Sequence, residues 1–108
     1  MQVPAFAQTS AFLAVLEQKS FTRAAKRLGL SPARVSEMVR QMEDWIGVRL
    51  IERTTRSVAP TVAGERLFER LRPVMADYEA AFGATRDLRG KPAGVLRLNV
   101  APPAADLV

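Results

Sequence analysis

Between residues 5 and 18, Phe6, Phe12, Leu13 and Leu16 fall on one broad stripe at helical spacing, which predicts an amphipathic helix. Thr22 is the candidate N-cap of a shorter helix, RAAKRL, in which Ala24, Ala25 and Leu28 face inward. The two alanines admit close approach of another helix. Gly29 suits the position that ends it, since glycine takes the left-handed conformation without a Cβ clash. Ser31 followed by Pro32 is a cap plus first-turn proline, a strong helix start. From there Val35, Val39, Met42 and Ile46 recur at spacings of 4, 3 and 4 as far as Gly47. Around that apolar face lie Arg34, Ser36, Glu37, Arg40 and Gln41.

The run VRLIERTTRSVAP changes character. Its β-branched and alternating residues flank Arg53-Thr54-Thr55-Arg56, which predicts a short hairpin with a basic tip. Thr61 then opens a long stretch of helix formers. Phe68, Leu71, Met75, Tyr78 and Phe82 repeat at 3-4-3-4 spacing, and a second seam runs beside them through Leu67, Leu71, Val74, Tyr78, Ala81 and Leu88. One helix over 62–89 would be roughly 40 Å long at about 1.5 Å per residue. The preceding sixty residues are too few to cover such a stripe, so the two seams predict a partner chain rather than a helix folded back on its own domain. Pro73 lies inside and should kink the helix without breaking it, because the seams keep phase across it. RGKPAG at 89–94 reads as a linker, and VLRLNVA alternates like a strand.

Charge sharpens this picture. Nine Lys and Arg stand against five Asp and Glu over residues 1–60, a net +4; over residues 61–108 the balance is seven against six, or +1. A basic first half suits a polyanionic partner such as nucleic acid or an anionic membrane face. The chain has no cysteine and no histidine, which excludes disulfides and thiolate zinc sites and removes the commonest general base. Catalysis would fall to scattered carboxylates or to Lys19, Lys26 and Lys91, so an enzyme is the weakest reading. The longest apolar run near the start, Ala11 to Leu16, is too short for a signal peptide or membrane span, and a cytoplasmic protein is expected.

Two short helices around a tight glycine-containing turn, the second basic outside, make a helix-turn-helix, and the hairpin after them adds a wing. Arginine at a wing tip suits the negative potential of a narrow minor groove. A rival from another class is a winged helix that docks proteins. Salt-sensitive duplex binding separates the two.

The stretch SFTRAAKRLGLSPARVSEMVRQMEDWIGVRLIERTTRSVAPTVAGERL resembles the N-terminal signature of LysR-type transcriptional regulators. The resemblance covers about residues 6–90. It implies a mainly α fold: a winged helix-turn-helix of three helices and a short hairpin over 1–60, then a dimerisation (linker) helix over 61–90. Residues 91–108 would be a hinge and the first strand, near Val95 to Val100, of a truncated effector-binding domain. Linker helices paired antiparallel would make a homodimer through Leu67, Phe68, Leu71, Val74, Met75, Tyr78 and Phe82, and the full-length protein would form tetramers. No cofactor is implied for this stretch; a small-molecule effector is implied for the missing domain.

Carried over by motif, base contacts fall on Pro32, Ala33, Ser36 and Glu37, with Arg34 and Arg40 on the same exposed face. Thr22 and Arg23 match positions near phosphates, and Arg56 matches the minor-groove arginine, with Arg53 close by. Arg53 has a structural alternative, an ion pair with Glu52 or another carboxylate. Arg23, Lys26, Arg27 and Arg40 read equally well as solvated charge. Ser31 reads as a cap, and Trp45 as core or interface. Members of the family commonly have glutamine where Pro32 stands, and arginine or another polar or basic residue where Glu37 stands. Glu37 has two candidate partners: a cytosine N4 in the major groove, or Arg34 or Arg40 one turn away on its own helix.

Overall fold

The structure, a computed structural model, describes residues 4–54 and 57–90. Helix α1, Phe6–Gln18, opens where the Ala5 N–H donates to Gln8 Oε1 at 3.0 Å. It ends at Lys19, whose backbone is left-handed at φ 55°. Helix α2, Phe21–Leu28, begins one residue before Thr22, and its cap is Ser20. Extended Ser20 accepts the Arg23 N–H on Oγ at 3.1 Å. The expectation of a cap at Thr22 is therefore corrected: a cap must be extended and outside the helix, and Thr22 already sits in the first turn. Gly29, at φ 73°, closes α2 as expected.

Helix α3, Pro32–Ile46, has the expected start, with Ser31 Oγ accepting the Arg34 N–H at 3.1 Å. Its buried face comprises Val35, Met38, Val39 and Met42. These meet Ala11, Phe12, Leu13, Ala14 and Val15 of α1 and the close-packing alanines Ala24 and Ala25 of α2, with Leu50 and Ile51 completing the core. Three expectations about that core change. Ile46, the last helical residue, is exposed, and Met38 takes a place in the stripe instead. Phe6 and Trp45 are each about half exposed, at 48% and 49%, so neither is core.

Strands β1, Ile51–Arg53, and β2, Val58–Pro60, pair antiparallel, with Arg53 opposite Val58. The turn is tied by the Thr54 N–H donating to the Ser57 carbonyl at 3.0 Å and the Ser57 N–H to Thr54 Oγ1 at 2.9 Å. Thr55 and Arg56 at its tip lie outside the described residues, as does the strand expected near 95–100.

Helix α4, Val62–Arg86, is capped by Thr61, whose Oγ1 accepts the Gly64 N–H at 3.0 Å and donates to the Arg49 carbonyl at 2.6 Å. Gly64 is required at this approach, because a Cβ there would overlap the Leu50 carbonyl. The helix continues through Pro73 and stops three residues before 89. The chain divides into two compact units, Met1–Pro73 and Val74–Val108. Leu67, Phe68 and Leu71 of the first are half-buried. In the second, Val74, Tyr78 and Phe82 are exposed and Met75 is half-buried, with the Tyr78 and Phe82 rings 5.0 Å apart. Among the described residues, no helix is long and apolar enough to cross a membrane.

Candidate nucleic-acid interface

The caps of α2 and α3 set the interface, because they fix which residues of each first turn face outward. Thr22 and Arg23 stand exposed at the start of α2. At the start of α3, Pro32, Ala33 and Arg34 are exposed. One turn later come half-buried Ser36 and exposed Glu37, then Arg40 and Gln41. Ala33, Ser36, Glu37, Arg40, Gln41 and Asp44 together line an open hollow along the outer face of α3. A helix N-terminus carries positive partial charge, so the start of α3 favours an anionic surface.

The basic residues divide by their partners. Among the described residues, Arg23, Lys26 and Arg40 make no ion pair. Arg27 Nη1 instead donates to Glu17 Oε1 at 2.8 Å, and Glu17 Oε2 also lies 3.8 Å from Arg72 Nε, so one carboxylate ties α1 to both α2 and α4. Arg34 Nη1 donates to Glu37 Oε1 at 2.6 Å. Of the two partners open to Glu37 within the helix, Arg34 is the one it takes. Gln41 is also engaged, with its Oε1 accepting from Gln8 Nε2 at 2.7 Å.

Arg53 turns inward. Its guanidinium lies 4.9 Å over the Phe21 ring and its Nη2 is 3.6 Å from Glu43 Oε1. Burial pushes its pKa below the ordinary arginine value; Glu43 opposes the shift, while Arg40 and Arg49 add to it. The carboxylate that holds it is Glu43 of α3 rather than the neighbouring Glu52. This geometry links the wing to α2 and α3 and turns the Arg53 charge away from an outer surface. The ion pair with Glu43 is the structural alternative that the sequence leaves open for Arg53.

Glu43 does not stand out in the sequence, where the acidic residues look solvent-facing. It is 9% exposed, and its Oε2 accepts the N–H groups of Leu50 and Ile51 at 2.8 and 3.1 Å. Those donors begin the hairpin, so Glu43 fixes where it leaves α3. Its only trace in the sequence is a place next to Met42 on the inward stripe.

Residues 6–65 match the family described as "Bacterial regulatory helix-turn-helix protein, lysR family". The chain is similar to the HTH-type transcriptional regulator PgrR of Escherichia coli (strain K12), 42% identical over 102 residues, covering 94% of this chain and 34% of PgrR. Similarity to the HTH-type transcriptional regulator PtxR of Pseudomonas aeruginosa is 43% over 89 residues, 82% of this chain and 28% of PtxR. The chain thus spans about a third of the length of these curated relatives. Among solved structures, oxidized Corynebacterium glutamicum OxyR matches with a TM-score of 0.77 at 32% identity, over 83% of this chain and 28% of that one. A CbnR_DBD–DNA complex matches with a TM-score of 0.68 at 30% identity, over 77% of this chain and 95% of that one.

Proposed function

The chain belongs to the lysR family of bacterial regulatory helix-turn-helix proteins, and on that premise we propose that it binds double-stranded DNA sequence-selectively as part of a transcriptional regulator. The observation that carries the proposal is the outer face of α3, which starts at a capped, exposed N-terminus and holds Ala33, Arg34, Ser36, Glu37 and Arg40 along one side. A recognition helix enters the major groove with its N-terminal residues over base edges. Thr22 and Arg23, exposed at the start of α2, suit phosphates, which position a protein without reading sequence. Arg56 is the wing residue assigned to the minor groove. The likeness to a domain solved on DNA supports this arrangement.

Two copies associate through the exposed apolar residues of α4, so that a dimer addresses an inverted repeat. The longer protein acts in the cytoplasm, forms tetramers, and adds an effector-binding domain after residue 90. Titration of the 108-residue chain against random and selected duplexes across a salt series tests the proposal. Affinity for random duplex should fall steeply with salt while preference for the selected inverted repeat persists. Equal affinity for all duplexes at physiological salt overturns it.

A further inference from the structure

Glu37 is a carboxylate on the surface proposed to meet a polyanion. Phosphates repel it, and the fold gives it no internal task. Its side chain is 59% exposed and its pair with Arg34, itself 50% exposed, joins two residues of one turn. Exposed pairs of this kind hold a helix together only weakly. The geometry is nonetheless specific. Arg34 Nη1 occupies Oε1, and among the described residues Oε2 accepts no hydrogen bond. Ala33 lies one turn before Glu37 and Arg40 one turn after it, all on the side away from buried Val35 and Val39.

We infer that Glu37 and Arg34 form a preassembled unit that reads a C·G base pair in the major groove. This rests on the reading of α3 as the groove-entering helix. An ionised carboxylate only accepts hydrogen bonds, so Oε2 selects a base that presents a donor. Cytosine N4 and adenine N6 are the major-groove donors, but adenine places its N7 acceptor beside N6, and that lone pair repels a carboxylate. Cytosine is the base left. Arg34 has four further N–H groups, and the guanine paired with that cytosine offers O6 and N7 as acceptors. Arg34 is the positioning residue here: it fixes Oε2 towards the groove floor and offsets the repulsion from phosphates.

Selection from random duplexes by the 108-residue chain, its Glu37→Gln variant and its Arg34→Ala and Arg34→Lys variants tests the assignment. Glutamine keeps the shape of the side chain and suits adenine N6 and N7. The Glu37→Gln variant should exchange C·G for A·T at one symmetric position per half-site, by about tenfold, and leave every other position unchanged. Arg34→Ala should flatten the preference at that same position, and Arg34→Lys should restore part of it. A Glu37→Gln variant that selects the unmodified chain's site, merely binding every duplex more tightly, overturns the base assignment alone. Enrichment of no sequence by the unmodified chain overturns the proposed function and this inference with it.

Discussion

Helices α3 and α4 are both amphipathic, and they dispose of their apolar faces in opposite ways. In α3 the stripe Val35, Met38, Val39 and Met42 is covered by α1 and α2, so between its first and last turns α3 offers only polar or charged residues to solvent. In the second half of α4, Val74, Tyr78 and Phe82 are 58%, 47% and 61% exposed. A covered stripe with a charged outer face fits a polyanion, whereas an uncovered apolar stripe fits another apolar stripe. One chain therefore carries two candidate binding surfaces of different chemistry, and each should fail in its own way.

Charge placed in the two stripes separates them most sharply. Leu71→Asp with Tyr78→Asp puts carboxylates into the proposed interface between copies and should weaken association at least about 100-fold. Sedimentation should then show monomers whose helical content is unchanged. Val39→Asp places the same group in a fully buried site and should unfold the chain rather than dissociate it. If the unmodified chain is itself monomeric at micromolar concentration, α4 does not pair copies and the comparison collapses.

The next largest effect sharpens the α3 side. Glu43→Ala removes the acceptor for the Leu50 and Ile51 N–H groups and takes away the ion-pair partner of Arg53. Buried donors without partners should cost about 3 kcal/mol, read as a lower denaturant midpoint. Glu43→Gln retains a carbonyl acceptor and should lose less. A Glu43→Ala chain as stable as the unmodified one would mean that the junction of α3 with the wing is held elsewhere.

These two sites also mark how much of the fold is legible in the sequence. Spacing alone located the helices, because a helix that buries one face against its neighbours must repeat apolar residues every three or four positions. The Ser31–Pro32 start and the Gly29 and Gly47 ends were legible for the same local reason, since caps act within a turn. Glu43 was not legible, and for Arg53 only an ion pair with some carboxylate was. Their roles depend on partners in other elements, and a charged residue beside an apolar stripe has the same sequence pattern whether it is buried or solvated. Trp45, read as core or interface, is half exposed in the last turn of α3 and so is not core. At the interface, the outward places of Ala33, Arg34, Glu37 and Arg40 followed from the stripe behind them. The choice of Arg34 over Arg40 by Glu37 depends on rotamers that spacing does not encode.

The smallest effect concerns two hydroxyls two residues apart with different duties. Ser20 and Thr22 are both suitable caps by residue type, and only the backbone tells them apart. Ser20 is extended, at φ −166° and ψ 131°, and its Oγ accepts the Arg23 N–H, while Thr22 lies inside the helix and is exposed. Ser20→Ala should therefore cost about 1 kcal/mol, because the N–H it satisfied loses its acceptor. Thr22→Ala should change stability by less than about 0.5 kcal/mol and in the favourable direction, alanine being the better helix former. DNA binding should invert the order. Loss of the Thr22 hydroxyl removes a candidate phosphate donor and weakens all duplexes alike, whereas Ser20→Ala at a temperature well below unfolding should bind as the unmodified chain does. Paired unfolding curves and duplex titrations of the two variants check both halves at once. A Thr22→Ala chain that is less stable than Ser20→Ala would move the cap back to Thr22 and displace the start of α2 by two residues, turning Arg23 to a different side of the surface proposed to meet DNA.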